Sequence, residues 1–251
     1  MRHPWLTAVA LVVVVALDPR AVLAQQTQPA APRPYKAVAI TPPKLVSDAS
    51  LDAFRKDLAD FAQRKDRAAL ARVMVFRGFF LEGEDDKGAD AKKSAIDNLA
   101  AALRLDAPDG SGWEMLASLA AAANAAPDPD RRRVVCAPAA PTFDDDAFEE
   151  LVETTQTDAD DWGYPTAPGV EVRADPAGGA PVIEKLGLHL VHTPASDAEA
   201  KADWIRVVTP SGKAGFAAAT AIAALPSDRI CYIKEATGWR IAGIIGGAGD
   251  Q

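Results

Sequence analysis

Cysteine and histidine, the side chains best suited to nucleophilic and general-base work near neutral pH, are scarce in this 251-residue chain, at two and three. The histidines beyond residue 3 are His189 and His192, spaced three apart in a stretch that reads as β-strand. Strand side chains alternate between faces, so these two rings point opposite ways and a Cys–His nucleophile pair is not indicated. Gly110-Ser111-Gly112 is too short for a G-x-S-x-G elbow, and neither S-x-x-K nor H-E-x-x-H occurs. Gly243, Gly246, Gly247 and Gly249 crowd the C-terminus with no helix after them to hold a phosphate.

Acids are abundant. Glu82, Asp85 and Asp97 are the N-terminal candidates for general acid–base chemistry on an envelope substrate. Between Val134 and Val172 there are ten acids and no Lys or Arg. Asp144, Asp145 and Asp146 precede a short helical stretch, where acids complement the helix dipole. A calcium loop opening at Asp144 would need Gly at 149 and Glu at 155, but Glu149 and Thr155 stand there. One opening at Asp158 gains Gly163, yet Trp162 and Gly169 fall at ligand positions. No metal and no cofactor are expected. Cys136 and Cys231, 95 residues apart, read as a disulfide in an exported chain. Closing so long a loop would stabilise by roughly 4–5 kcal/mol in the chain-entropy model, and two buried free thiols are the alternative.

The elements that carry these residues change type midway. Gln25 to Pro43 holds five prolines, so 25–46 reads as a Pro-rich disordered linker. Residues 47–126 read as a helix-rich domain. Ser50 would cap a helix burying Leu51, Phe54, Leu58 and Phe61, with Arg55, Lys56, Asp57 and Asp60 in solvent. Further helices are expected over 66–75, 91–105 and 113–126, with the aromatic run Phe76 to Leu81 in the core. Residues 127–166 form a Pro-rich acidic connector, in which Trp162 and Tyr164 could stack on a ligand or latch connector to barrel. From Gly169 the period becomes two, with short strands at 170–173, 182–183, 188–191, 204–208 and 214–216.

Those strands resemble the bacterial SH3-like domain. VEVRADPAGGAPVIEKL followed by WIRVVTPSGKAGF presents its V-x-V-R strand, D-P turn, V-I-x-x-L strand, Trp-led strand and G-K-x-G-F strand in order. The resemblance covers 167–226, about a quarter of the chain. It implies a small β-barrel that contacts peptidoglycan or another envelope protein, with Arg173, Asp175, Trp204 and Phe216 the groove candidates. Phe216 stands where the family usually has Trp, and the Thr193–Asp203 loop is long and polar. Both departures touch a ligand groove, so ligand identity does not carry over. Residues 227–251 read as a C-terminal β-hairpin, which could extend the barrel or return to the N-terminal unit and its aromatic stretch.

The first 24 residues have the layout of a secretory signal: basic Met1-Arg2-His3, an uncharged apolar run from Leu6 to Leu17, then Val22-Leu23-Ala24. Cleavage is expected between Ala24 and Gln25. Twelve residues of helix span about 18 Å, short of a hydrocarbon core of roughly 30 Å, so an anchor is disfavoured. Removing Arg2, Asp18 and Arg20 takes the net charge from -8 to -9. So acidic a chain lacks the basic face that nucleic acid requires and is repelled by anionic bilayers. The expected fold class is α+β: a helix-rich N-terminal domain, then a small SH3-like β-barrel with a C-terminal β-hairpin. The expected function is a periplasmic or secreted, non-catalytic binding or adaptor protein. An envelope hydrolase using the N-terminal carboxylates, and a structural subunit of an envelope complex, are the alternatives.

Overall fold

A computed structural model describes residues 33–83, 88–194, 203–226 and 228–246. The expected signal segment, Asp85, Gly247, Gly249 and most of the 193–203 loop lie outside the described residues. Five α-helices and two sheets among the described residues make the fold α+β.

Short polar side chains start the helices by accepting otherwise unpaired backbone N–H groups. Asp48 Oδ1 accepts from Ser50 and Leu51 N–H at 2.8 and 3.3 Å and opens α1 (Ala49–Gln63). The cap is therefore Asp48 and not Ser50, whose hydroxyl instead receives the Trp239 indole N–H at 3.0 Å. Asp66, Ser94 and Asp144 cap α2 (Arg67–Arg72), α3 (Ala95–Ala102) and α5 (Asp145–Thr155). The Asp144–Asp146 triplet is thus a helix start. Gly110, at φ 80°, turns the chain into α4 (Ser111–Ala121). Helix α1 buries Leu51, Arg55, Leu58 and Ala62, so Arg55 faces inward, contrary to its assignment to solvent.

Helices α1, α3 and α4 contact a five-stranded sheet built from both ends of the chain. It contains β1 (Phe80–Glu82), β2 (Ala126–Pro127), β3 (Val134–Ala137), β11 (Arg229–Glu235) and β12 (Gly238–Ile245), in the order β1-β12-β11-β3-β2. Only β1 and β12 run parallel. The terminal hairpin therefore completes the N-terminal layer and does not pair with the strands over 162–224. Period two sorts the side chains. Val135, Ala137, Ile230 and Tyr232 enter the helical core with Leu58, Leu99 and Leu116, whereas Val134, Cys136 and Cys231 cluster with Phe80 and Ile245.

The stretch expected as a connector supplies β3, all four residues of which are buried. Val134-Val135-Cys136-Ala137 is a continuous apolar run of the kind a central strand needs, and the prolines around it concealed this. The linker expectation fails in the same way for its described part. Val38 and Ile40 are buried, Leu190 N–H donates to the Val38 carbonyl at 2.9 Å, and the Tyr35 hydroxyl donates to that of Val208 at 2.8 Å.

The second sheet has seven strands: β4 (Trp162–Pro165), β5 (Val170–Arg173), β6 (Val182–Leu186), β7 (Val191–His192), β8 (Trp204–Val208), β9 (Ala214–Ala218) and β10 (Ile222–Ala224). Their order is β10-β4-β7-β8-β9-β5-β6, and the end strands do not pair with each other, so the ladder is not closed. Val172, Leu186, Val191, Val207 and Ala217 form its core.

Candidate functional site

Register decides which of the groove residues meet. In the seven-stranded sheet Phe216 on β9 lies opposite Arg173 on β5 and opposite Arg206 on β8. Directly opposed residues share a face, and so do alternate residues along one strand. Trp204, two before Arg206, therefore joins this row. Their neighbours Val172, Ile205, Val207 and Ala217 belong to the core on the other side. Three of the four groove candidates thus share the outer face, with Arg206 added.

These side chains differ in what they can offer. Phe216 is buried and serves as a floor, whereas Trp204 and Arg206 are half-buried. Arg173 is tied down, with Nη1 donating to the Ala180 carbonyl at 2.6 Å and Nη2 paired with Glu171. Its role is to fix the turn after β5. Asp175 lies on that turn, exposed. A flat aromatic beside a guanidinium suits a ligand with a planar or carboxylate-bearing surface.

Trp162, expected as a ligand-stacking residue, is instead fully buried and has no face open to a ligand. Tyr35 and Phe148 meet it edge-on at 5.1 and 6.3 Å, His192 lies at 5.3 Å, and its Nε1–H donates to Thr157 Oγ1 at 2.9 Å. It is the latch between α5 and the sheet. Tyr164 is buried too, but it lines an open apolar cleft of about 480 Å³ between α4 and β10, with Asn124 and Asp228 its polar walls. Burial raises the Tyr164 hydroxyl's pKa, so it is a neutral donor, directed at the Ala139 carbonyl 3.5 Å away.

Glu82 pairs with Arg131, and Asp97 with Arg67 at 2.8 Å. Hydrogen bonds from Ser94 and then Arg67 hold the Asp97 carboxyl below its ordinary range, the opposite of what a general acid at neutral pH requires. The two described carboxylates are thus held by different arginines. Burial lowers the pKa of both histidines, opposed by Glu184 at His189 and by Asp161 at His192.

Cys136 and Cys231 form a disulfide across β3 and β11, where they are register partners with Cα atoms 4.0 Å apart. The Phe80 ring shares its side of the sheet and lies over Gly243, with the Arg131 guanidinium 4.3 Å above it. A Cβ at Gly243 would meet that ring at 2.6 Å, so only glycine lets Phe80 cover the strand. Among the described residues no helix is long and apolar enough to cross a membrane.

No family model, no curated protein and no solved structure matches the chain. Sequence reasoning missed Arg206 and assigned Arg55 to solvent. Period two from Trp204 pointed to Arg206, whereas nothing local distinguished Arg55 from Lys56 beside it.

Proposed function

We propose that this chain is an exported, non-catalytic binding protein whose seven-stranded sheet is an SH3-like module that contacts the peptidoglycan of the cell wall. The observation that carries this reading is the shared outer face of Trp204, Arg206, Phe216 and Arg173. The V-E-V-R, V-I-E-K-L, W-I-R-V-V and A-G-F segments of the resemblance coincide with β5, β6, β8 and the start of β9, in that order. Trp204 supplies the stacking surface, Arg206 the charge for a peptide carboxylate, and Phe216 and Arg173 the rigid floor. A disulfide on the companion sheet fits an oxidising compartment outside the cytoplasm. Co-sedimentation with purified wall sacculi tests the proposal: the protein pellets saturably, and pelleting requires Trp204 and Arg206.

A further inference from the structure

Phe76 is 91% exposed, far above the next large apolar side chain among the described residues, Leu45 at 58%. The sequence placed it in a core. It is also held in place, because the preceding Val75 N–H donates to the Ile241 carbonyl at 3.0 Å and Ile241 N–H returns to Val73 at 2.8 Å. An exposed ring on a pinned backbone is a fixed feature of the surface.

The ring borders a cleft of about 490 Å³ between the end of α2, the start of α3 and β12. Its charged lining is Arg72, Lys93, Arg240 and one acid, Glu235, and Arg77 reaches over Phe76 at 5.6 Å from the ring centroid. Arg240 is committed to the Arg72 carbonyl at 3.0 Å and to Glu235 at 3.7 Å. Arg72, Arg77 and Lys93 form no ion pair among the described residues. Three cations with no ion pair among the described residues thus gather around one exposed aromatic ring.

We propose that this cleft docks an acidic polypeptide segment, which seats one apolar side chain against Phe76 and places its carboxylates on Arg72, Lys93 and Arg77. Charge complementarity selects an anionic partner, and the ring and concave shape select one with an apolar anchor. An anionic bilayer fits less well, since it would meet a single aromatic side chain on a net acidic molecule. The cleft belongs to the five-stranded sheet and its helices, so the inference does not rest on the wall-binding reading.

Fluorescence anisotropy with a labelled glutamate-rich peptide carrying one central Phe tests it directly. Saturable binding is expected, weakening as salt rises. Phe76→Ser, and separately Arg72→Glu with Lys93→Glu, should each lower affinity by about tenfold or more, and all three positions are exposed, so the fold survives. Circular dichroism melts verify that survival. A probe with Ser in place of its Phe should bind as weakly as the Phe76→Ser variant does. Unchanged binding by the folded variants would overturn the proposal. So would absence of peptide binding accompanied by pelleting with phosphatidylglycerol vesicles, or by concentration-dependent dimers that mark a second copy as the occupant.

Discussion

The Arg55 guanidinium on α1 donates to the carbonyl of Ala122, the residue that ends α4. Helix α4 has no basic residue in its own last turn, so the cation that complements its negative end comes from a neighbouring helix. Arg55 is buried, and the Tyr232 hydroxyl beside it is buried as well, with its pKa pushed up by that burial.

Removing the Arg55 side chain strands the Ala122 carbonyl and leaves a void beside Tyr232. We expect Arg55→Ala to destabilise by about 2–4 kcal/mol in urea unfolding, against under about 0.5 kcal/mol for Lys56→Ala on the exposed side. Equal effects would mean that the Arg55 side chain contributes no more to stability than an exposed cation does.

Gly112 lies in the first turn of α4, where alanine ordinarily favours a helix by up to about 1 kcal/mol. Here a Cβ would come within 2.1 Å of the Leu103 carbonyl oxygen. Gly112→Ala should therefore destabilise, by about 1–3 kcal/mol, despite its better propensity. A rise in melting temperature would refute this.

The disulfide links β3 to β11 across 95 residues of sequence, a span that contains the whole seven-stranded sheet. Replacing both cysteines with alanine should cost about 2–5 kcal/mol in urea unfolding. Equal melting temperatures for parent and double variant would count against a structural role.

His189 and His192 have pKa values below the ordinary 6.5 because burial disfavours their charged forms. The unfolded chain then binds more protons than the folded one between the lowered values and 6.5, so stability falls as pH drops through that window. Urea midpoints should decline between about pH 7.5 and 5.5 in the parent, and decline less in a His189→Gln/His192→Gln variant. Parallel declines would show that other groups control the acid limb.

What was legible in the sequence follows from range. The β5 and β8 strands stand where alternation and β-branched residues placed them, because those signals are local. The Cys136–Cys231 pairing was legible from parity and compartment. The fate of the terminal hairpin was not, because β11 finds β3 and β12 finds β1 only through contacts across most of the chain. Proline counts misled at Val38–Ile40 and Val134–Ala137, where short apolar runs outweighed flanking breakers. Helical period misplaced Arg55, since its partner Ala122 is 67 residues away. At the candidate site, Trp204, Arg173 and Phe216 were named from residue type and resemblance, but their common face depends on register, which no local pattern contains.

The wall-binding reading is tested most directly by co-sedimentation of residues 25–251 with purified sacculi at physiological salt, beside a Trp204→Ser/Arg206→Glu variant whose melt matches the parent. We predict saturable pelleting of the parent and its loss in the variant, with a control in the Tyr164 cleft away from this face, Asn124→Asp, pelleting as the parent does. Absence of parent pelleting, or equal pelleting by the folded variant, would contradict the account.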